Sequence, residues 1–98
     1  MTDGGSISVA IPTPMRRFTG GASKVSVSGS TLSEALADLG RQFPDLGGRI
    51  VEDDGRIRRF VNIFVNGNNA RDLEGERTPV KPGDELTVIP AMAGGTAR

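Results

Sequence analysis

Apolar and polar residues alternate along four segments of the chain, and this period of two is typical of β-strands with one buried face. The four segments are residues 7–11, 24–28, 58–65 and 85–90. The first two are separated by a long connection and are predicted to form a hairpin. A short edge strand is also expected near residues 69–72.

A single amphipathic helix is predicted between the second and third strands. Thr31 and Glu34 have the spacing of a capping box, in which the threonine hydroxyl accepts a hydrogen bond from the Glu34 amide and the glutamate side chain reaches back. The apolar residues that follow recur at the spacing of one helical face, and they are Leu32, Leu36, Leu39 and Phe43. Pro44 is expected to end the helix after about three turns.

The remaining segments are predicted to be connections. Glycine, proline, asparagine and aspartate mark turns at residues 53–55, 66–67 and 82–84. Residues 15–21 are expected to form a loop, and residues 46–51 fit neither a helix nor a strand pattern. The predicted fold is therefore an α+β roll, a mixed sheet of about four or five strands with one main helix packed on one face.

Composition limits the chain to one small domain and removes most enzyme chemistry. Its 98 residues, 36% of them hydrophobic, suit a single compact domain. Twelve basic residues balance twelve acidic ones, so no long-range positive field favours nucleic acid or a membrane surface. Without cysteine or histidine, the chain lacks thiolate nucleophiles, imidazole bases and the usual zinc ligands. We therefore expect no catalytic residue, metal or bound cofactor of its own.

The ends of the chain suggest how it is organised. The first residues, MTDGGSISVA, lack a basic stretch and a continuous apolar core, and no apolar run approaches the ~20 residues that span a bilayer. A cytoplasmic protein is therefore predicted. We expect residues 6–90 to form the folded body of a single domain and residues 91–98 to form a flexible tail.

The segment after the last strand is the candidate functional site. Residues 91–95 read Ala-Met-Ala-Gly-Gly, and glycine has no Cβ to obstruct passage through a narrow channel. The chain contains three other glycine pairs, which are more typical of turns or disorder. What distinguishes Gly94 and Gly95 is their position directly after a strand that ends at Pro90.

Three segments resemble the ubiquitin-like sulfur carriers typified by MoaD and ThiS. They are TLSEAL at residues 31–36, FVNIFVNG at residues 60–67 and GDELTVIPAMAGG at residues 83–95. The resemblance covers nearly the whole chain from Ile7 onward, and the Pro-Ala-x-Ala-Gly-Gly ending is most similar to the CysO-type carriers. It implies a β-grasp fold with a C-terminal Gly-Gly.

The resemblance also implies a function that depends on partner enzymes. An E1-like activating enzyme of the MoeB or ThiF type would use ATP to adenylate the Gly95 carboxylate, and a sulfur donor would displace AMP to leave a thiocarboxylate. Because Thr96, Ala97 and Arg98 follow Gly95, and a peptide amide cannot be adenylated as a carboxylate can, the chain resembles a precursor. A JAMM-type metalloprotease is implied to cleave between Gly95 and Thr96. A cysteine synthase-like enzyme that uses O-phosphoserine is implied as the sulfur acceptor.

A docking surface for these partners is predicted on the sheet face opposite the helix. Exposed apolar patches of this kind mark partner binding, and basic side chains beside them steer acidic partners. The predicted docking residues are Phe60, Phe64, Ile89, Met92, Arg58 and Arg59. Two alternatives stay open: residues 15–21 or 71–81 cover the apolar patch, or the arginines form a solvated strand edge.

Three functions are compatible with the sequence. The first is a sulfur carrier that delivers sulfur to cysteine, molybdopterin, thiazole, thiolated tRNA or a secondary metabolite. The second is a ubiquitin-like modifier that is conjugated to other proteins through Gly95. The third is an adaptor domain whose tail is inert and whose exposed face does the binding.

Overall fold

Five strands form one mixed sheet in the computed structural model, which describes residues 6–90. The strands are β1 (Ile7–Ala10), β2 (Lys24–Val27), β3 (Val61–Val65), β4 (Asn68–Asn69) and β5 (Glu85–Pro90). They lie in the order β2-β1-β5-β3-β4. β1 and β5 pair in parallel, whereas the other three pairs are antiparallel. The predicted mixed sheet and the hairpin of the first two strands are confirmed.

The predicted helix is α1 (Leu32–Gln42), and its start has the capping contacts expected from the sequence. The Thr31 hydroxyl accepts a hydrogen bond from the Glu34 amide at 3.2 Å. Glu34 Oε1 in turn accepts one from the Ser30 amide at 2.8 Å. Both amides lie at or just before the first turn, where no carbonyl of the helix can accept from them, so the side chains stabilise this end.

One hydrophobic core lies between the sheet and the helices. The inward-facing residues of β3 (Val61, Ile63 and Val65) and of β5 (Leu86 and Val88) are all buried, as the alternation predicts. The predicted apolar stripe of α1 contributes three buried side chains, those of Leu32, Leu36 and Leu39. No helix within residues 6–90 is long and apolar enough to cross a membrane.

A second helix, α2 (Pro44–Ile50), occupies the segment that showed no pattern in the sequence. Pro44 follows the end of α1 and also lies in the first turn of α2, where the missing amide costs nothing. The two helices approach closely at glycines, because a Cβ placed on Gly47 would lie 2.7 Å from the Gly40 Cα. Glycine weakens helix propensity, so α2 depends on its packing against α1 and the core.

Residues 15–21 do not form the predicted loop. A 3-10 helix spans Thr13–Thr19 instead, because Met15 buries its side chain in the core and Phe18 packs against that core. Gly20 ends the helix in the left-handed region, at a φ of +66°. The connection between β1 and β2 is therefore a regular element that packs beside α2.

β3 begins at Val61, later than the predicted start at Arg58. The intervening residues form a turn in which the Val61 amide donates to the Arg58 carbonyl at 2.9 Å. The Arg71 guanidinium donates to the carbonyls of Arg58 and Val61 at 3.0 and 2.7 Å. These hydrogen bonds occupy the carbonyls of Arg58 and Val61. In a longer β3 these carbonyls would be available to a neighbouring strand, but here the pairing with β5 starts at Val61.

The turn between β3 and β4 is the one predicted. Asn66 and Gly67 have φ angles of +51° and +89°, the left-handed pair that suits a two-residue hairpin. The edge strand predicted at residues 69–72 is shorter and earlier, because β4 follows this turn at once and Ala70–Asp72 is a 3-10 helix.

Side chains of α1 close the outer edge of β2. Gln42 Nε2 donates to the Ser26 carbonyl at 2.9 Å, and Asp38 Oδ2 accepts from the Ser28 amide at 3.1 Å. Burial raises the pKa of Asp38, but the hydrogen bonds from Ser28 and Gln42 more than offset it, so the pKa is lowered. The contacts occupy backbone groups through which an exposed edge strand would pair with another chain.

Asp84 is a buried carboxylate that ties the turn before β5 to the end of β3. Its Oδ1 accepts hydrogen bonds from Asn66 Nδ2 at 3.1 Å and from Lys81 Nζ at 3.0 Å. Its Oδ2 accepts one from the Lys81 amide at 2.9 Å. The bond from Asn66 is the main cause that lowers the pKa of Asp84 below its ordinary value of 3.8, against the opposing effect of burial.

Acid is expected to weaken the fold through Asp84. Because the folded state lowers this pKa, the stabilisation is present above pH 3.8 and is lost as the pH falls through the folded-state value. All three partners of Asp84 are donors, so the amide group of Asp84→Asn faces a donor in either orientation. We expect this substitution to lower the free energy of unfolding by about 1–3 kcal/mol at neutral pH and by less in acid. Urea denaturation at both pH values measures this. Asp53→Asn, at an exposed position, is the control, and equal losses for the two variants at neutral pH would contradict the prediction.

Candidate functional site at the end of β5

The candidate site lies at the end of the sheet where β5 finishes. Because β5 is parallel to β1 and antiparallel to β3, the C-terminal ends of β1 and β5 lie beside the N-terminal end of β3. Pro90, at the end of β5, pairs with Val61, at the start of β3. Pro90 therefore lies next to the turn at residues 58–60, and the 3-10 helix Thr13–Thr19 follows the C-terminal end of the neighbouring strand β1.

The residues that carry the predicted chemistry lie outside the described residues. They are Gly94 and Gly95 for adenylation and thiocarboxylate formation, Gly95 and Thr96 for processing, and Met92 for docking. Their roles stay predictions. Residues 6–90 contribute the strand from which this segment continues, and that strand lies between β1 and β3 in the sheet.

Two of the predicted apolar docking residues are exposed at this end. Phe60 is 64% exposed and Ile89 is 43% exposed. Ile89 pairs with Asn62 of β3 and faces away from the core, whereas Phe60 lies in the turn that precedes β3. Phe64, on the same outer face and opposite Thr87, is half-buried. Phe60 and Ile89 are thus accessible to a partner, and Phe64 is only partly so.

The three arginines near this end have different surroundings. Arg56 pairs with Asp54 at 2.9 Å, and the hydrogen bonds from its backbone and side chain lower the pKa of that carboxyl. Arg58 Nε donates to the Gly48 carbonyl at 2.8 Å, which joins the turn before β3 to α2. Arg59 is exposed. Arg56 is therefore engaged locally, whereas Arg59 extends into solvent.

A shallow polar cavity of about 460 Å³ opens beside Arg59. It is lined by Glu52, Arg56, Ile57, Arg59, Arg71 and Glu76. Glu76 Oε2 accepts a hydrogen bond from the Ile57 amide at 2.8 Å, and Arg71 donates to backbone carbonyls. With the ion pair of Arg56 to Asp54, three of the charged groups thus have structural partners, and the lining mixes both signs. Within residues 6–90, no group of three or more acidic, histidine or cysteine side chains is arranged to bind a metal.

A contact between the 3-10 helix Thr13–Thr19 and α2 is not predictable from the sequence pattern. The guanidinium carbons of Arg17 and Arg49 lie 4.9 and 4.3 Å from the centre of the Phe18 ring, within the range of cation–π interactions. No periodic pattern in this segment indicates where its side chains lie, and the triplet Arg-Arg-Phe was its only signal. Because this helix packs beside α2, it leaves the outer-face residue Ile89 uncovered.

Comparison with known proteins decides the family. The ThiS family matches residues 9–95 of the chain. The chain belongs to the ThiS family. Within it, the sulfur carrier protein CysO of Mycobacterium tuberculosis (strain ATCC 25618 / H37Rv) is 39% identical over 92 residues, which cover 92% of this chain and 99% of that protein. The small archaeal modifier protein 3 of Haloferax volcanii is 35% identical over 66 residues, which cover 67% of this chain and 71% of that protein.

A solved structure agrees with this assignment. A chain in the crystal structure of the Amycolatopsis orientalis BexX/CysO complex has a TM-score of 0.83 and 37% identity, and the match covers 91% of this chain and 99% of that chain. The predicted β-grasp fold and the resemblance to CysO-type carriers are confirmed. This ThiS-family chain is a ubiquitin-like protein of the CysO type.

Proposed function

We propose that this ThiS-family chain carries sulfur as a thiocarboxylate on Gly95 and donates it in biosynthesis. In the first step, the Gly95 carboxylate attacks the α-phosphorus of ATP and releases pyrophosphate. A sulfur donor then attacks the acyl carbon and displaces AMP. The observation that carries the proposal is the 39% identity to the sulfur carrier CysO over 92% of the chain. The donated sulfur would become part of cysteine or of another sulfur-containing metabolite or cofactor.

The proposed mechanism requires a tail that reaches another protein's active site from a fixed starting point. Residues 91–95, if fully extended, span about 16–18 Å, enough to cross a channel between the folded body and a buried ATP site. β5 supplies the fixed point, because it pairs with neighbours on both sides. We propose that residues 91–98 act as a flexible tail for this reason.

Three partners follow from the proposed chemistry. An E1-like enzyme of the MoeB or ThiF type binds ATP and activates Gly95, a JAMM-type metalloprotease removes residues 96–98, and a cysteine synthase-like enzyme accepts the sulfur. The chain itself acts as a protein cosubstrate and uses no bound cofactor. We place the reaction in the cytoplasm, where ATP is available to the activating enzyme.

We propose that the exposed apolar residues beside β5 dock on the activating enzyme. Phe60 and Ile89 are accessible and lie at the end of the sheet from which the tail continues. Arg58 and Arg59 adjoin them, and Met92 follows in the tail. An exposed aromatic residue that becomes buried on binding is a frequent source of affinity.

Phe60→Ala is expected to raise the KM of the activating enzyme for the carrier about tenfold. Because Phe60 is 64% exposed, its removal should change the free energy of unfolding by less than about 0.5 kcal/mol. Steady-state adenylation and thermal unfolding measure the two effects. Leu73→Ala is the control, since Leu73 is also an exposed apolar residue, at 44%, but lies beyond the edge strand β4. An unchanged KM for Phe60→Ala would exclude this docking role.

A second function is favoured by one comparison. The small archaeal modifier protein 3 is 35% identical over 67% of this chain, and a modifier would transfer the same Gly95 adenylate to lysine side chains of target proteins. An adaptor with an inert tail is the third possibility. Truncation after Ala93 would leave an adaptor's function intact and would abolish both of the others.

Intact-mass spectrometry tests the proposed function. The chain processed to Gly95 is incubated with ATP, an E1-like enzyme from the same organism and sulfide. We expect the mass increase that corresponds to one oxygen replaced by sulfur, and no change for the chain that retains residues 96–98. Conjugates of higher mass without the thiocarboxylate would favour the modifier. A native protein that is active while it retains Arg98 would refute the hypothesis that residues 96–98 must be removed before activation.

A further inference from the structure

Four arginines that make no ion pair within residues 6–90 lie in elements near the end of the sheet where β5 finishes. Arg17 lies in the 3-10 helix after β1, Arg49 lies in the last turn of α2, and Arg58 and Arg59 lie in the turn before β3. The hydrogen bond from Arg58 to the Gly48 carbonyl, at 2.8 Å, joins that turn to α2. We call these four residues the arginine cluster.

Phe18 holds two members of the arginine cluster at one place. The Arg17 and Arg49 guanidinium carbons are both within 5 Å of its ring centre, at 4.9 and 4.3 Å. The ring is partly buried against the core, so it forms a fixed platform for two side chains that otherwise have many rotamers. The attraction of each cation to the ring keeps two like charges together despite their mutual repulsion.

No member of the arginine cluster forms an ion pair with an acidic side chain within residues 6–90. The ion pairs found there join Lys24 to Glu85, Arg41 to Asp38, Arg56 to Asp54 and Lys81 to Asp84. None of them includes a member of the cluster. Glu52 lines the cavity beside Arg59, but it makes no ion pair within 4.0 Å in this part of the chain. The whole sequence has equal numbers of acidic and basic residues, so these four arginines are a local group of positive charges on a chain with no net charge.

We propose that the arginine cluster docks against an acidic surface of the activating enzyme, beside the channel that receives residues 91–95. This inference rests on the proposed function. Guanidinium groups bind carboxylates through paired, directional hydrogen bonds, and charges at the rim of an interface act mainly on the rate and orientation of encounter. Carboxylates beside the channel would therefore orient the carrier so that its tail enters. A nucleic acid fits less well, because the chain has no net positive charge.

Charge reversal tests the inference on the carrier processed to Gly95. Adenylation by the E1-like enzyme is followed as ATP–pyrophosphate exchange at varied carrier concentration. We expect Arg17→Glu/Arg49→Glu to raise the KM for the carrier about tenfold at low ionic strength, to leave kcat unchanged, and to lose most of this effect at about 0.5 M NaCl. Arg17→Lys/Arg49→Lys keeps the charge that steers encounter but loses the paired guanidinium hydrogen bonds, so its KM should rise by less than that of the charge-reversed variant, by about threefold.

Arg77→Glu is the control, because it reverses the charge of an arginine outside the arginine cluster. Arg77 precedes Thr78, whose carbonyl accepts a hydrogen bond from the Leu32 amide at the start of α1. Circular dichroism verifies that every variant folds. An unchanged KM for the charge-reversed double variant, an equal rise for Arg77→Glu, or a fall in kcat alone would each overturn the inference while the proposed function stands. A wild-type carrier that is never adenylated would overturn both.

Discussion

The Gly94→Val variant, processed to Gly95, is expected to lose adenylation and sulfur loading while it keeps the fold of the wild-type chain. Under the proposed function, residues 91–95 enter a narrow channel, and a branched side chain next to the reacting carboxylate would displace it from the ATP phosphorus. Misplacement of about 1 Å at a reacting atom costs on the order of 100-fold in rate, so we expect kcat/KM to fall by at least that factor. ATP–pyrophosphate exchange and intact mass measure the loss.

Ala37→Val is the control for this substitution. It places the same valine side chain at an exposed position of α1, outside the arginine cluster and β5. We expect this control to be adenylated at the wild-type rate. If Gly94→Val were loaded as fast as Ala37→Val, the tail would not pass through a confined site and the proposed mechanism would be wrong.

The Gly47→Ala variant is expected to lower the free energy of unfolding by about 1–3 kcal/mol, the usual cost of overpacking a tight contact. A Cβ at this position would lie 2.7 Å from the Gly40 Cα, and the obstructing atom belongs to the backbone of α1, so no side-chain rotation relieves the clash. The helices must separate, which disturbs the packing of α2 on the core. Thermal and urea denaturation followed by circular dichroism measure the loss.

Its matched control is Gly48→Ala, one residue further along the same helix. Nothing lies within 4 Å of a Cβ there, so the change adds helix propensity without a clash. We expect the stability to be unchanged or to rise by up to about 1 kcal/mol. Equal stabilities for the Gly47→Ala and Gly48→Ala variants would show that the two helices do not depend on close contact between their glycines.

Much of the fold was predictable because local patterns and tertiary packing agree. The capping box at Thr31 and Glu34 marks a helix start that depends on neighbouring amides. The alternation in β3 and β5 reflects burial of one sheet face. Asn66 and Gly67 suit a turn that needs two left-handed residues. In each case the residues that specify the structure are close together in the sequence.

The elements that the sequence did not predict depend on distant contacts. α2 contains two glycines and forms against α1, and the 3-10 helix Thr13–Thr19 is fixed by burial of Met15. The start of β3 is set by Arg71, which lies beyond the strand in the chain. The tail stays a prediction from its residue types and position. The contact of Arg17 and Arg49 with Phe18 could not be predicted, because it requires α2 to be in place.

The position of β5 has a consequence for synthesis of the protein. Among the described strands it is the last in the chain, yet it lies between β1 and β3 and pairs with both. A nascent or truncated polypeptide without residues 85–90 lacks the strand that joins β1 to β3, so the native sheet forms only after residue 90 has been synthesised. Under the proposed function, Gly94 and Gly95 follow this strand in the chain, so a ribosome adds them only when every strand of the sheet has already been made.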